Sequence, residues 1–433
     1  MGRFPFLLSL YRGLSPALGP FIPLFLRRRL QRGKEDGARL NERLGLPNAF
    51  RPPGRLAWLH GASVGEGLAL LPLIDRLIAR GFSVMVTTGT VTSAAILAQR
   101  LPAGAFHQYV PVDVPKFMRR FLRYWRPDIV MVAESEVWPN MFVEVHKRRV
   151  PLVLVNARLS ARSYTRWQKA PASIGALLSR VDLCLAQAQD DASRLIRLGA
   201  PRVHVSGNLK YDVAPPPADS AALATLSGQI GARPVWIAAS THDGEEDIAM
   251  EVQRALMQRF PTLLTIVAPR HPNRGPEIAE RAKALGLNTA LRSEQMPIDR
   301  DVQFYVADTM GELGLFFRLS SVIFVGKSLV GHGGQNPIEP AKLGSAILHG
   351  PNVENFTEVY QVLDDSKGAV TVADTDTLTR ALGVLFSDAA RLRQMARASH
   401  DCVEKLGGAS DQIMAAVEPY FVQMAVDRRS VSS

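Results

Sequence analysis

The sequence predicts an α/β fold with two doubly wound, Rossmann-like domains. Short apolar runs alternate with longer segments of helical period along most of the chain. Runs that are apolar on both faces are typical of parallel strands covered by helices on either side. A proline-rich stretch at 214–234 interrupts this alternation and predicts a linker. Ligands of such folds bind beyond the carboxyl ends of the strands, so we expect the site in a central cleft between the domains.

Six strands are predicted in each half of the chain. The first half contains the runs RLAWLH, FSVMVTT, DIVMVAE, PLVLVNA, VDLCLAQ and VHVSGN, and the second half contains VWIAAS, LLTIVAP, VQFYVAD, VIFVGK, AILHG and AVTVAD. The predicted division is an N-terminal segment at 1–45, a first domain at 46–213, a linker at 214–233 and a second domain at 234–433. A chain of 433 residues is long enough for two domains of about 200 residues each.

Composition and charge narrow the class of partner. With 47% hydrophobic and 21% charged residues, the chain has an ordinary globular composition. The net charge of +11 favours anionic partners such as phosphates, nucleic acid or acidic lipid, without choosing among them. The two cysteines, Cys184 and Cys402, are too few for a disulfide framework or a metal cluster, which predicts a reducing compartment.

The first 30 residues are rich in Phe and Leu and end in three consecutive arginines at 27–29. A membrane span needs about 20 uninterrupted apolar residues. Arg12 and three prolines interrupt this stretch. We therefore predict a segment that lies in the membrane interface, with its arginines at anionic headgroups on the cytoplasmic side. The alternative is an N-terminal helix docked on the protein's own core.

The stretch LHGASVGEG at 59–67 follows the first predicted strand and contains the pattern G-x-S-x-G. Its glycines allow close backbone approach, and the helix start that follows attracts an anion. Ser63 as a nucleophile would need an acid, a histidine and an upstream oxyanion loop, and the sequence offers no such set. Glu66 as a general base is favoured. A tight turn capped by Ser63 and Glu66 is the structural alternative.

Two further motifs of the first half carry charged residues at strand ends. AESEVWPN places Glu134 and Glu136 after a strand, on one side of an extended segment. Because burying charge is costly, a functional role is favoured over a helix N-cap before Pro139. GNLKYD places Lys210 at the end of the first domain, where an ammonium could neutralise a leaving phosphate. The alternative is a solvated surface lysine.

The turns of the second half have the composition of a nucleotide site. They are IAASTHDGEE, APRHPNR, MGELGLFF and KSLVGHGGQNPIEPAKLG. Together they offer backbone N–H donors and Arg270 for phosphate, and a carboxylate at Glu339 for ribose hydroxyls. The fingerprints G-x-G-x-x-G and G-x-x-x-x-G-K-[ST] are absent, which disfavours hydride transfer and a P-loop NTPase. His242 and His332 lack metal-ligand spacing, so no metal is predicted.

Two basic segments are notable. KFMRRFLRYWR at 116–126 places basic residues on one helix face and aromatic residues on the other. The ordinary interpretation is a surface helix with its apolar side in the core, and the alternative is a basic face that meets lipid phosphates. NARLSARSYTRWQK spaces Arg158, Arg162 and Arg166 four apart, where they could hold an anionic acceptor near Glu66.

Eight motifs in a fixed order resemble one family. They are HGASVGEG, ESEVWPN, VNARLSARSY, GNLKYD, PRHPNR, MGEL, GGQNPIEP and GPNVENF. Over about residues 35–420 the chain resembles the 3-deoxy-D-manno-octulosonic acid (Kdo) transferases of lipopolysaccharide synthesis. The resemblance implies a two-domain GT-B glycosyltransferase that uses CMP-Kdo and acts on a lipid A precursor (lipid IVA) at the cytoplasmic face of the inner membrane. It implies an inverting reaction, no cofactor, no protein-bound metal and no nucleic-acid partner.

The resemblance also implies residue roles. Glu66 would be the proton acceptor, and Glu136 and Lys210 would support the transition state. The residues expected to hold CMP are Pro269, Arg270, Met310, Gly311, Glu312, Asn336, Pro337, Ile338 and Glu339. Candidates for the acceptor are Ser63, Arg158 and Arg162. Two other classes stay open, namely another nucleotide-sugar transferase or epimerase of the same architecture, and a serine hydrolase.

Overall fold

The computed structural model describes residues 5–432, and the side chains of residues 5–426. The chain forms two compact units. The first unit takes the chain up to Val213 and again from Gly407, and the second unit is Ala214–Leu406.

The first unit is built on a sheet of seven parallel strands. These are β1 Arg55–His60, β2 Phe82–Thr88, β3 Ala105–Tyr109, β4 Ile129–Ala133, β5 Leu152–Ala157, β6 Leu183–Ala186 and β7 Val203–Val205. Their order is β3-β2-β1-β4-β5-β6-β7. The order changes direction between β1 and β4, the kind of switch point where open α/β sheets bind ligands. The turns that follow these two strands therefore lie side by side.

Between residue 5 and the start of the second unit, the structure describes ten α-helices. They are α1 Phe6–Leu18, α2 Ile22–Gln31, α3 Val64–Ala69, α4 Leu71–Ala79, α5 Val91–Arg100, α6 Pro115–Trp125, α7 Pro139–His146, α8 Ala161–Trp167, α9 Pro171–Leu178 and α10 Gln189–Arg197. Short 3₁₀ helices occur at Gly19–Phe21, Leu40–Leu44 and Leu209–Tyr211. The helix predicted after β1 is two helices, because Pro72 stands in the first turn of α4.

Helix α6 has the ordinary arrangement for a surface helix. Phe117, Phe121 and Trp125 are buried in the first unit's core. Arg120 donates a hydrogen bond to the carbonyl of Leu44. The interpretation of 116–126 as a helix with its apolar side in the core is confirmed.

Helix α1 packs on α6, α7 and α9 through a polar face. Tyr11 Oη donates to Asp113 Oδ2 at 3.0 Å, and Arg12 reaches Glu144 Oε1 at 3.1 Å. Leu8 and Ser15 are buried with them. In the N-terminal segment that runs from α1 to α2, the large apolar side chains that are exposed are Phe6, Leu7, Leu10, Leu14, Leu18, Phe21, Leu24 and Phe25. The segment is therefore docked on the protein, as the alternative predicted, and it still presents an apolar surface.

Among the described residues, no helix combines the length and the apolarity that a bilayer crossing requires.

The second unit has its own sheet of seven parallel strands. These are β8 Val235–Thr241, β9 Leu264–Pro269, β10 Thr289–Leu291, β11 Phe304–Val306, β12 Val322–Val325, β13 Ala346–His349 and β14 Ala369–Thr371. The order is β10-β11-β9-β8-β12-β13-β14, with its switch point between β8 and β12.

The sequence missed one strand in each sheet. β3 (AFHQY) carries polar residues at its centre, and β10 (TAL) is three residues long, so neither gives an apolar run. Both are the first strand in their sheet's order, where only one neighbour pairs with them.

Eight helices belong to the second unit. They are α11 Ser220–Ile230, α12 Glu245–Leu256, α13 Gly275–Ala284, α14 Leu313–Phe317, α15 Ile338–Lys342, α16 Thr357–Asp365, α17 Thr375–Ser387 and α18 Ala389–Lys405, with a 3₁₀ helix at Pro272–Arg274. α11 lies inside the predicted linker and buries Leu226 and Ile230. The prolines before it are held as well, since Arg318 Nη1 donates to the carbonyl of Pro216 at 2.8 Å.

The final helix, α19 Ala409–Ser432, returns to the first unit. Its residues Ile413 and Val417 are fully buried in the core that includes Leu73 of α4. Asp212 fixes its start, because its carboxylate accepts from the N–H groups of Gly408 and Ser410 at 2.7 and 2.5 Å. The second unit therefore ends at Leu406, whereas the predicted second domain ran to residue 433.

Candidate active site

Glu66 stands in the first turn of α3, directly after β1, and its carboxylate is fixed on both oxygens. Ser63 Oγ donates to Glu66 Oε1 at 2.7 Å, and the N–H of Ala62 donates to Oε2 at 2.8 Å. Ser63 is the N-cap and accepts from the N–H of Glu66. The capped turn is therefore confirmed, whereas Glu66 as general base stays a prediction.

The surroundings of Glu66 disfavour its charged form. Burial raises the pKa of the Glu66 carboxyl, and the hydrogen bonds from Ser63 and Ala62 partly offset this rise. The negative charges of Glu134 and Glu136 raise the pKa further. Three carboxylates therefore share the edge of the sheet at the β1–β4 switch point.

The turn after β4 differs from its prediction. Glu134 has a left-handed backbone with φ of 53°, so Glu134 and Glu136 do not lie on one side of an extended segment. Lys210 Nζ lies 3.0 Å from Glu134 Oε1, whereas Glu136 Oε2 accepts from Trp138 Nε1 at 2.8 Å. Neither glutamate caps a helix, because the N-cap of α7 is Trp138 and the first-turn N–H groups of Asn140 and Met141 donate to the carboxylate of Asp113.

Lys210 is held in place by two asparagines that the sequence analysis did not single out. Asn156 Oδ1 accepts from the N–H of Leu209 at 2.9 Å, and Asn208 Oδ1 accepts from the N–H of Lys210 at 3.0 Å. Asn156 is buried and has φ of 51°. Asparagine at the end of a strand was the available signal, since it tolerates this backbone better than most residues. The solvated-surface reading of Lys210 is wrong, because its ammonium is paired and about a quarter exposed.

His60, the last residue of β1, is a further residue that the sequence analysis missed. It is completely buried, and burial lowers the pKa of its imidazole to about 4. Its ring stands edge-on to Trp138 with centroids 5.9 Å apart. A neutral imidazole thus supports the side chain that donates to Glu136.

Arg158, a candidate for the acceptor, lies at the same edge. Arg158, Glu134 and Ser135 line a small, mostly apolar cavity of about 20 Å³. Arg162 is exposed on α8, whose N-cap is Ser160. Neither arginine forms an ion pair within the part of the chain that the structure describes.

The second unit has a cavity of about 150 Å³ at the carboxyl ends of its strands. The residues that line it are Ala239, Ser240, Arg270, Leu313, Phe317, Val325, Gln335, Asn336 and Glu339. Three of these were predicted to hold CMP, namely Arg270, Asn336 and Glu339. Asn336 Oδ1 accepts from the N–H of Ile338 at 3.0 Å, beside Pro337 at the start of α15.

The MGEL turn at 310–313 is organised by a residue outside the predicted set. Arg292 forms a bidentate pair with Glu312, with distances of 2.6 and 3.0 Å. This pair lowers the pKa of the Glu312 carboxyl. Met310 is largely exposed, and Gly311 has φ of 83°. Of this turn only Leu313 lines the cavity, so the structure does not bring Met310, Gly311 and Glu312 into its wall.

The glycine-rich loop after β12 does not offer the free backbone donors that the sequence predicted. The N–H groups of residues 327–330 all donate to the carboxylate of Glu245, at 2.6 to 3.4 Å. That carboxylate is buried at the first residue of α12. The acidic residues of IAASTHDGEE were the missed signal.

Histidines and carboxylates do not gather in this unit as metal ligands would. His242 faces His271 with ring centroids 6.0 Å apart, and His332 lies 3.6 Å from Glu354. Among the described residues, no group of three or more His, Cys, Asp or Glu could hold a metal ion.

Comparisons with known proteins decide the family. The model of a family described as 3-deoxy-D-manno-octulosonic-acid transferase (kdotransferase) matches residues 38–213. The 3-deoxy-D-manno-octulosonic acid transferase of Haemophilus influenzae is 35% identical over 88% of this chain and 91% of its own length. The chain belongs to the Kdo transferase family. A probable mitochondrial Kdo transferase of Arabidopsis thaliana is 34% identical over 93% of both chains.

The fold agrees with this family. A solved glycosyltransferase from Rickettsia africae covers 85% of this chain and 98% of its own, with a TM-score of 0.56 at 11% identity. At that identity the likeness shows the fold alone, which is GT-B. The resemblance stated from the motifs is confirmed, and this Kdo transferase is a glycosyltransferase of lipopolysaccharide synthesis. The alternative class of a serine hydrolase is thereby excluded.

Proposed function

We propose that this Kdo transferase moves Kdo from CMP-Kdo to a lipid A precursor, lipid IVA, by inverting displacement with Glu66 as general base. The observation that carries the proposal is the Glu66 carboxylate, which two donors fix at the switch point of the first sheet. Direct displacement at the anomeric carbon inverts its configuration and needs a base on the acceptor hydroxyl. A positioned base typically contributes about 10² to 10⁴ in rate.

The raised pKa of Glu66 supports this role. A carboxylate at its ordinary pKa is a weak base at neutral pH, and burial beside Glu134 and Glu136 makes it stronger. The held orientation also suits the task, because a base must meet its proton in one geometry. Ser63 serves here as a cap and as a ligand of Glu66.

Lys210 and Glu136 are assigned to transition-state support. Negative charge develops on the CMP phosphate as the bond to Kdo breaks, and a nearby ammonium stabilises it. Lys210 pairs with Glu134 at 3.0 Å and retains partial exposure. Glu136, anchored by Trp138, keeps one carboxylate oxygen for substrate hydroxyls.

The second unit is assigned to the donor. Arg270 supplies positive charge for the phosphate, and Asn336 and Glu339 supply polar groups for the nucleoside. Pro269 precedes Arg270 at the end of β9, and Pro337 and Ile338 lie between Asn336 and Glu339. The turn of Met310, Gly311 and Glu312, fixed by Arg292, completes the proposed set.

The acceptor is assigned to the first unit and to the cytoplasmic leaflet of the inner membrane. Arg158 and Arg162 are exposed cations that suit the phosphates of a lipid A precursor. Most large apolar side chains of α1 and some of α2 are exposed, and Arg28 and Arg29 follow in the last turn of α2. An apolar face next to arginines is typical of a segment that lies on an anionic bilayer.

The direct test is incubation with CMP-Kdo and a tetraacylated lipid A precursor, with the product read by mass. We expect a product heavier by whole Kdo units and release of CMP. Absence of product with active control enzyme present would contradict the proposed acceptor or donor. A shift of the melting temperature by a UDP-sugar, but not by CMP, would instead favour another nucleotide-sugar enzyme.

A further inference from the structure

The glycine-rich loop 327–334 joins β12 to α15 and lies beside the turn after β8. These two segments flank the switch point of the second sheet. In many nucleotide-binding folds, successive N–H groups of such a loop bind the ligand's phosphate. In this protein the N–H groups of residues 327–330 already donate to a carboxylate.

Glu245 supplies that anion from within the chain. Its Oε1 accepts from the N–H groups of Ser328, Leu329 and Val330 at 3.0, 3.1 and 3.4 Å. Its Oε2 accepts from the N–H of Lys327 at 2.6 Å and from that of His242 at 3.0 Å. One carboxylate thus ties the loop after β12 to the turn after β8.

The backbone around Gly326 allows the Glu245 carboxylate to approach closely. A Cβ at Gly326 would lie 2.9 Å from Glu245 Oε2 and 2.7 Å from the carbonyl oxygen of Ser240, so only glycine fits there. Lys327 and Ser240 both have left-handed backbones, with φ of 57° and 56°. Strained residues on both sides of one buried carboxylate are typical of functional sites rather than of simple packing.

Positive side chains surround this junction. Burial lowers the pKa of the His242 imidazole, and the negative charge of Glu245 raises it. The positive charges of Lys327, His271 and Arg270 lower this pKa further. The rings of His242 and His271 lie 6.0 Å apart. Gln335, which lines the cavity, lies 3.3 Å from His242 Nε2. Among the described residues, neither Lys327 nor Arg270 forms an ion pair.

We propose that Glu245 is a positioning residue that occupies the backbone N–H groups of loop 327–330 and thereby fixes Lys327 and His242 as donor-binding groups beside Arg270. The proposal rests on the assignment of CMP-Kdo to the second unit. A Kdo donor carries a phosphodiester and a carboxylate on the same anomeric carbon. Cationic side chains on neighbouring turns can bind two adjacent anionic groups. A single set of successive backbone N–H groups can bind only one.

The test compares wild type with Glu245→Ala and Glu245→Gln. Glu245→Ala leaves the N–H groups without an acceptor, so we expect faster amide exchange across 327–334 and a KM for CMP-Kdo raised about tenfold or more. Formate has the carboxylate of the missing side chain and should restore both exchange protection and KM. Formamide has the same size without the charge and should restore neither. Glu245→Gln should resemble the alanine variant, because its amide would place a donor against donors.

Glu246→Gln is the matched control, because Glu246 is an equally buried neighbour that accepts from Thr241 and Arg274 instead. It should show no response to formate. Unchanged exchange in Glu245→Ala, or equal effects of formate and formamide, would overturn the proposal. If wild type does not turn over CMP-Kdo, the assigned donor is wrong, and the exchange measurement still decides the role of Glu245. Thermal unfolding of each variant identifies one that fails to fold, and Glu245→Gln, which preserves the side chain's size, then serves as the test.

Discussion

Among single residues, Glu66 is the one whose replacement should abolish Kdo transfer and leave CMP binding intact. Replacing it as Glu66→Gln keeps the side chain's size and removes its ability to accept a proton. We expect transfer to fall by at least about 10²-fold, the lower end for loss of a general base. CMP binding, measured by calorimetry, should stay unchanged because the proposed nucleotide residues all belong to the second unit. Transfer near the wild-type rate in Glu66→Gln would rule out the base assignment.

Ser63 allows the same assignment to be tested through pH. The base works only when deprotonated, so the rate should rise with pH through the raised pKa of Glu66. The Ser63 hydroxyl stabilises the carboxylate and lowers that pKa. Ser63→Ala should therefore move the acidic limb of the kcat profile to higher pH, with activity retained above it. A limb that stays in place would show that another group controls the rate. In wild type, a fluorophosphonate is expected to leave Ser63 unlabelled.

Lys210 makes a prediction about kcat rather than KM. If its ammonium stabilises the departing phosphate, Lys210→Ala should lower kcat by roughly 10²-fold, as loss of one transition-state contact does. Lys283→Ala is the control, since that lysine is paired with Glu280 at 2.9 Å on a helix of the second unit. Initial rates at saturating CMP-Kdo measure both. An unchanged kcat in Lys210→Ala would leave the lysine as a partner of Glu134 only.

At the scale of elements, the sequence predicted the strands well and the turns poorly. Apolar runs indicated all strands except β3 and β10, because burial on both faces leaves a compositional signal. The positive φ of Glu134 left no signal, whereas that of Asn156 left only the residue type, since asparagine tolerates this backbone better than most residues. The pairing of Lys210 with Glu134 rather than Glu136 follows from that backbone. The sequence shows that residue 245 is a glutamate, but its role depends on contacts with a loop more than 80 residues away.

Helix α14 provides a stability prediction at this scale. A Cβ at Gly314 would lie 2.3 Å from the carbonyl oxygen of Pro217, so Gly314→Ala must displace the proline segment. We expect a loss of about 1–3 kcal/mol in the free energy of unfolding, as for other overpacked sites. Gly228→Ala in α11 is the matched control, because no atom lies within 4 Å of the added methyl. It should gain about 0.5–1 kcal/mol. Denaturant unfolding of both variants measures the difference, and equal stabilities would contradict the packing.

At the scale of the whole molecule, the motif order identified the family, whereas the course of the chain was predicted only in part. The first unit is left at Val213, next to the proline-rich stretch at 214–234. At the second crossing, after Leu406, the sequence shows only Gly407 and Gly408, which indicate a break between α18 and α19 but not a change of unit. Its buried face matches the first unit's core, and only the fold reveals which core a buried helix joins.

The exposed apolar side chains of the N-terminal segment are predicted to bind the membrane. Deleting residues 1–30 would also remove Arg12 and leave Glu144, which is buried, without that partner. A sharper test replaces exposed side chains only, as in the combined variant Phe6→Ser, Leu14→Ser and Phe21→Ser. These residues are 78%, 55% and 65% exposed, so the fold should persist.

We expect the triple variant to lose most of its binding to vesicles that contain anionic lipid, because each buried apolar side chain contributes about 1.5–3 kcal/mol. Phe50→Ser is the control, since Phe50 is 97% exposed but lies outside α1 and α2. Flotation with vesicles separates bound from free protein. If the triple variant floats as wild type does, the membrane contact lies elsewhere, and the exposed arginines at 158 and 162 become the next residues to test.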